Sequence, residues 1–200
     1  MVARGEQKEG KVQEKEEISI TLDIGRDVYL VEDKILEERN FLSNNGYVLG
    51  KFHGLTKDRP RDYFIKEQHP ESILHTYCVD ILFQEIRKHT DKVEKYRTEN
   101  ADLVFTNKIG EEIAVEVETG IDVKYQNKKK YHDEKFSIRR KKYGNKCYIF
   151  LPTKDLRNSY ARHALPILFR LDVIKFVELQ FSGMKNSTIV EKCNPTNENF

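Results

Sequence analysis

Apolar and polar residues alternate most clearly between Ala101 and Gly120, where two short runs, 102–106 and 112–119, flank Lys108-Ile109-Gly110. Period-two alternation predicts a pair of strands, and the glycine-containing break predicts the tight turn of a hairpin. Successive side chains of a strand point to opposite faces. Ile113, Val115 and Val117 therefore share one face while Glu116 and Glu118 share the other. Upstream, 71–89 follows Pro70 and carries Leu74, Tyr77, Cys78, Ile81 and Leu82 at helical spacing, which predicts an amphipathic helix. Glu85 falls in the middle of that stripe, where a carboxylate needs a bound cation, a lysine partner or hydrogen bonds, unless the helix end frays there. Downstream, 122–143 predicts a polar helix stopped by Gly144, with Tyr125, His132, Phe136 and Tyr143 on one face. The continuous apolar run Cys-Tyr-Ile-Phe-Leu at 147–151 is the pattern of a strand buried on both faces. A short strand at 93–97, a helix over 155–165 and a strand over 173–179 complete this part.

The N-terminal third reads differently. Residues 1–15 are rich in Lys, Glu, Gly and Gln and are expected to form a disordered leader. Ile18, Ile20, Leu22 and Ile24 alternate with polar residues, predicting a strand that turns at Gly25-Arg26 into a second one over 27–31. A helix from an Asp33 cap to Asn44-Asn45-Gly46, a strand over 47–52 and a loop over 54–70 follow. The expected organisation is an α+β accessory module at 16–70, a core at 71–182 and a flexible tail at 183–200. Helix, three strands, helix, strand in the core predicts an α/β fold with a mixed sheet flanked by helices.

Charge changes the picture more through its distribution than through its sum. Charged residues are 34% of the 200-residue chain, yet the net charge is only +2. The basic residues gather between 124 and 146, beside an acidic stretch at 111–118. Lys124, Lys128, Lys130, Lys135, Arg139, Arg140, Lys141 and Lys142 are thus candidate nucleic-acid contacts, with a solvated helix face as the bland alternative. The three cysteines are widely spaced and form no CxxC pair, so a reducing, cytoplasmic setting is expected. There is no apolar run of membrane-spanning length. His75, Cys78, His89 and His132 have no recognised ligand spacing, and a zinc site is not expected.

The chemistry lies in the hairpin. Asp102 begins the first strand and Glu116 and Glu118 end the second, so three carboxylates converge where a hard divalent cation would find oxygen ligands. Asp102, then Glu116-Val117-Glu118, within helix, three strands, helix, strand, resembles the PD-(D/E)XK nuclease superfamily with its restriction-endonuclease-like fold. The resemblance covers about 71–152. It implies an α-β-β-β-α-β core hydrolysing DNA, branched or junction DNA included. It also implies Mg²⁺ or Mn²⁺ held by Asp102, Glu116 and the Val117 backbone carbonyl, with Glu85 matching the family's helical acid. Members from viruses, plasmids and archaea whose strand ends in Glu-x-Glu-Thr-Gly look most similar. Two positions depart from the pattern. Ala101 stands in place of the proline of the motif name, and Glu118 stands where the family usually carries lysine. In some relatives that lysine has moved to the following helix, where Lys129 is the first candidate, Lys124 and Lys128 come next and Lys135 is further off. Glu118 itself can add a ligand or hold a metal-bound water. Cutting both strands of a duplex would favour a homodimer. The missing lysine equally suits a non-catalytic nucleic-acid-binding module on the same fold, and a third reading makes 16–70 a docking face for a larger assembly.

Overall fold

The computed structural model describes residues 22, 25–96, 100–120 and 126–182, and in the helix that begins at Gln126 it describes side chains from Lys130 onward. The expected leader, the tail at 183–200 and all but Leu22 of the 18–24 strand lie outside the described residues.

In the N-terminal part, β1 (Val28–Leu30), α1 (Leu36–Asn44), β2 (Tyr47–Phe52) and β3 (Arg61–Lys66) follow one another, and the strands form an antiparallel sheet ordered β1-β3-β2. The central strand of that sheet lies in the segment expected to be a loop. Its two buried residues point to opposite sides. Phe64 packs with Tyr29, Leu42 and Tyr47, while Ile65 joins Val28, Tyr77 and Leu82 in the main core. A strand that is apolar on both faces and flanked by charges shows no alternation, so its signal is missing from the sequence pattern. Asp33 is not the cap of α1. It lies in a 3-10 turn, and the chain enters the helix at Ile35, whose N–H donates to the Glu38 carboxylate at 3.1 Å.

The core contains α2 (Ile73–Arg87), β4 (Val93–Lys95), β5 (Leu103–Thr106), β6 (Glu112–Val117), α3 (Gln126–Tyr143) and β7 (Cys147–Leu151). It closes with α4 (Arg157–Tyr160), β8 (Ile167–Phe169) and α5 (Val173–Phe181). The five strands run β4-β5-β6-β7-β8; the first two pairings are antiparallel and the last two parallel. This is the α/β order expected, a mixed sheet flanked by helices, with the small antiparallel sheet beside it. The hairpin turns where expected: Asn107 Oδ1 accepts from the N–H groups of Ile109 and Glu111, and Gly110 takes φ 82°, a conformation other residues rarely adopt.

Each face of the sheet has its own core. Ile113, Val115 and Val117 look toward Tyr77, Leu82 and Ile86 of α2 and Phe176 of α5. Val104, Ala114, Ile149 and Leu151 look toward Phe136 and Tyr143 of α3 and Tyr160 of α4. Two expected elements are replaced. The strand over 173–179 is α5, whose buried Val173, Phe176, Val177 and Gln180 are spaced as one face of a helix. The helix over 155–165 is a single helical turn between two 3-10 turns, ended at Ala164 with φ 52° before β8.

Candidate active site

The hairpin register sets Leu103 opposite Val115, so Asp102, just before β5, falls beside Glu116 and Val117. Asp102 Oδ2 accepts from the Val117 backbone N–H at 2.7 Å. Glu116 and Glu118 lie at the carboxyl end of β6, next to the parallel β7, the kind of place where open α/β sheets bind ligands. Asp102 thus lies opposite Glu116 across the hairpin, with Glu118 two residues further along the chain.

Two helices close on them. Ser72 caps α2, its Oγ accepting from the His75 N–H at 3.2 Å, and this sets His75 in the first turn. His75 Nε2 lies 3.5 Å from Asp102 Oδ2 and Nδ1 lies 3.0 Å from Glu71 Oε2. Burial alone would lower the imidazole's pKa, but the contact with Asp102 and the charge of Glu71 outweigh it and raise the value above 6.5. Asp102 moves the other way. Burial acts to raise it, and His75, Lys135 and the Val117 N–H together hold it below its ordinary range. Both residues line a cleft of about 1360 Å³ between the N-terminal sheet and α2, whose wall also carries Asp80 and Lys95.

On the other side, α3 presents Lys135 and Arg139. Lys135 Nζ stands 2.7 Å from Glu116 Oε2 and 3.1 Å from Glu118 Oε1. The Arg139 guanidinium donates to Glu116 Oε1 and, at 2.6 Å, to the backbone carbonyl of Asn100. Tyr160 donates its hydroxyl to Glu118 Oε2 at 2.9 Å. His132 packs between Phe136 and Tyr160 with Nδ1 4.0 Å from Glu118. Glu116 is wholly buried, and burial pushes its carboxyl up to about 7 even though Lys135 and Arg139 pull it down. Burial would lower the Lys135 ammonium, but the charges of Glu116, Glu118 and Asp102 raise it well above the ordinary lysine range.

Several expected site residues are placed differently. Glu85 is buried on the α2 stripe, but it pairs with Lys88 at 2.6 Å, ten positions beyond His75 and so about 15 Å further along the helix. Of the accounts offered for it, the lysine partner is the one present, and it is not part of the cluster. Lys135, expected as a nucleic-acid contact and as the more distant candidate for the displaced lysine, and Arg139, expected as a nucleic-acid contact, are the partners of the carboxylates. At 100° per residue Arg139 falls at the edge of the buried face that His132, Phe136 and Tyr143 mark and Lys135 beside it, so helical spacing contained part of the signal. Lys124 lies outside the described residues, as do the side chains of Lys128 and Lys129. Lys130, Arg140 and Lys141 are exposed, and Lys142 is exposed with Nζ 2.9 Å from Asn100 Oδ1. From the sequence His75 is weighed only as a zinc ligand and set aside, and Tyr160 is given no role. The Ser72 cap after Pro70 points to His75, whereas nothing local marks Tyr160.

The donor set has the right chemistry for Mg²⁺ or Mn²⁺ but not the right arrangement: among the described residues no group of three or more His, Cys, Asp or Glu side chains is placed to hold a metal ion. Cys78 and Cys147 are buried free thiols. Among the described residues no helix is long and apolar enough to cross a membrane.

No protein-family model matches the chain, and no curated protein matches it. Among solved structures it is similar to "Structure of EndoMS in apo form", over 61% of this chain and 63% of that one, at 10% identity and a TM-score of 0.29. The chain therefore spans less than two thirds of that structure's length, and a likeness at this level assigns neither a family nor an activity.

Proposed function

We propose that this protein acts on DNA as a phosphodiester-cleaving nuclease. Its site would be Asp102, Glu116 and Glu118, with Lys135 in the place of the family's strand lysine. The observation that supports this reading most is Lys135 Nζ within 3.1 Å of both strand carboxylates, on the helix that follows the hairpin. A phosphodiester transition state gathers negative charge, and a fixed ammonium beside it is worth most in a buried site. Asp102 and His75 face the cleft, where the imidazole can donate a hydrogen bond to a phosphate oxygen. Mg²⁺ or Mn²⁺ is the cofactor that the family resemblance implies; Asp102, Glu116 and the Val117 carbonyl are the groups that would hold it, and the Glu116 oxygens face Lys135 and Arg139 in this structure. The exposed Lys130, Arg140, Lys141 and Lys142 would contact the backbone of the nucleic acid without reading its sequence. The test is cleavage of linear, branched and single-stranded DNA with Mg²⁺ or Mn²⁺. Asp102→Asn and Glu116→Gln should each abolish it, and cleavage that survives both substitutions sinks the site.

A second reading, a nucleic-acid-binding module without catalysis, is favoured by one observation: both oxygens of Glu116 and of Glu118 already face a protein cation or hydroxyl. Such a module would bind DNA with a steep salt dependence and cut none of the substrates.

A further inference from the structure

Lys135 lies on a flank of α3 that carries more than the site's cation. At 100° per residue Tyr131, Lys135, Ile138 and Lys142 fall within about 60° of one another, beside the buried face of His132, Phe136 and Tyr143. The helical rise sets Tyr131 about 6 Å before Lys135 along the axis and Ile138 about 4.5 Å after it. This flank is turned toward the hairpin. Lys142 Nζ and the Arg139 guanidinium both reach Asn100, in the segment that leads into Asp102.

Tyr131 is 63% exposed and Ile138 60%, and neither packs into a core of the sheet. The Tyr131 ring meets that of His132 in a T-shaped contact at 6.1 Å, with most of its surface left to solvent. A single exposed apolar residue is ordinary. Here an aromatic ring and a branched aliphatic side chain bracket the lysine of the site. Their surroundings are basic: Lys130, Lys141 and Lys142 are exposed, and Glu134 is matched by Lys130 at 3.8 Å. Two side chains are too little for a protein interface, which buries about 800 Å² on each partner. They suit a polyanion that carries flat apolar faces. A duplex hides its base faces inside the stack, whereas an unpaired strand exposes them, and an aromatic side chain among cations stacks them whatever their sequence.

We propose that Tyr131 stacks an unpaired base and that Ile138 packs against a neighbouring nucleotide, so that the strand passing Lys135 is unpaired there. This rests on reading the site as one that acts on DNA, and it names the form of DNA taken: a single strand, or the unpaired part of a branched molecule.

The experiment is fluorescence anisotropy on the full chain with labelled single-stranded and duplex DNA of one length, in EDTA so that binding is read without cutting. Wild type should bind the single strand more tightly than the duplex. Tyr131→Ala should weaken the single strand by at least about 5-fold and the duplex by less than about twofold. The salt slopes should stay as they are, since no charge is lost. Tyr131→Phe, which keeps the ring, should bind as wild type does. A duplex held by wild type as tightly as the single strand overturns the proposal. So do equal losses on both DNAs, no loss on the single strand, or a phenylalanine variant as weak as the alanine one. The nuclease reading is decided separately by cleavage. Tyr131→Ala that still cuts DNA and binds single strands like wild type keeps that reading and discards this one.

Discussion

Among the described residues, Lys95 and Lys135 each stand between two carboxylates. Lys95, at the end of β4, reaches Asp80 at 2.8 Å and Asp27 at 3.0 Å. Lys135 reaches Glu116 at 2.7 Å and Glu118 at 3.1 Å. The first triad is a clamp. Asp27 precedes the N-terminal sheet and also accepts from Gln68 Nε2 at 2.6 Å, while Asp80 lies on α2, so one ammonium ties the small sheet to the core. The second triad has more in it than a clamp needs. Asp102 adds a third carboxylate and Arg139 a second cation, and burial drives Glu116 away from its ordinary ionisation. The number of ion pairs does not separate a structural bridge from a site, whereas a buried group held at odds with its surroundings does so more often.

Activity should separate the two triads most sharply. Glu116→Gln is expected to lower DNA cleavage by about 10²–10³-fold or more in a gel-based assay. Asp80→Asn, at the clamp, should leave the rate within about threefold while lowering stability. Equal losses in both variants would mean that the clamp belongs to the site.

Stability comes next. Arg139→Leu strips a buried carboxylate of a partner and should lower the unfolding free energy by about 3–5 kcal/mol in a denaturant titration. Lys95→Met should cost less, about 1–2 kcal/mol, because that side chain is 25% exposed and water screens the pair.

A pH series sharpens the same contrast. A carboxyl raised from its ordinary 4.5 to about 7 binds a proton more tightly in the folded than in the unfolded chain. Its contribution to stability is therefore complete below 4.5 and is lost as the pH rises toward 7. Wild type should lose on the order of 1–3 kcal/mol across that window relative to Glu116→Gln, read as the difference between their unfolding free energies. His75, also raised, adds a decline of the same sign above 6.5, and Glu116→Gln should leave that part in place. Parallel pH curves for wild type and Glu116→Gln would contradict the burial argument.

The smallest effects belong to the outer face of α3. Arg140→Gln and Lys141→Gln should change stability by less than about 0.5 kcal/mol. Each should lower the slope of log affinity for DNA against log salt by about 1 in a fluorescence titration.

Much of this molecule follows from local pattern. Period-two alternation at 112–117, the helical stripe of α2 and the apolar run of β7 each show up in the chain because the polarity of an element's own side chains records which of its faces can be buried. So does the placing of Asp102 opposite Glu116, since a short turn between two strands fixes their register. Where the two-sided apolar part is as short as Phe64-Ile65 of β3 and lies between charged residues, neither alternation nor an apolar run is left, and only the pairing with β1 and β2 reveals the strand. At 173–179 the β-branched and aromatic residues suggest a strand, and packing against the sheet selects the helical period that was also present.

Partnership is not a local property. Spacing along one helix allows Glu85 its neighbour Lys88, three residues on, but does not say that His75, nearer the helix start, meets Asp102. Spacing along α3 puts Lys135 and Arg139 on or beside its inner face, yet the crossing of that helix over β6 is what lays them against Glu116 and Glu118. Periodicity records which side of an element is turned inward. The position along that side where two elements touch depends on residues far apart in the chain, and here that position sets which cation each carboxylate receives.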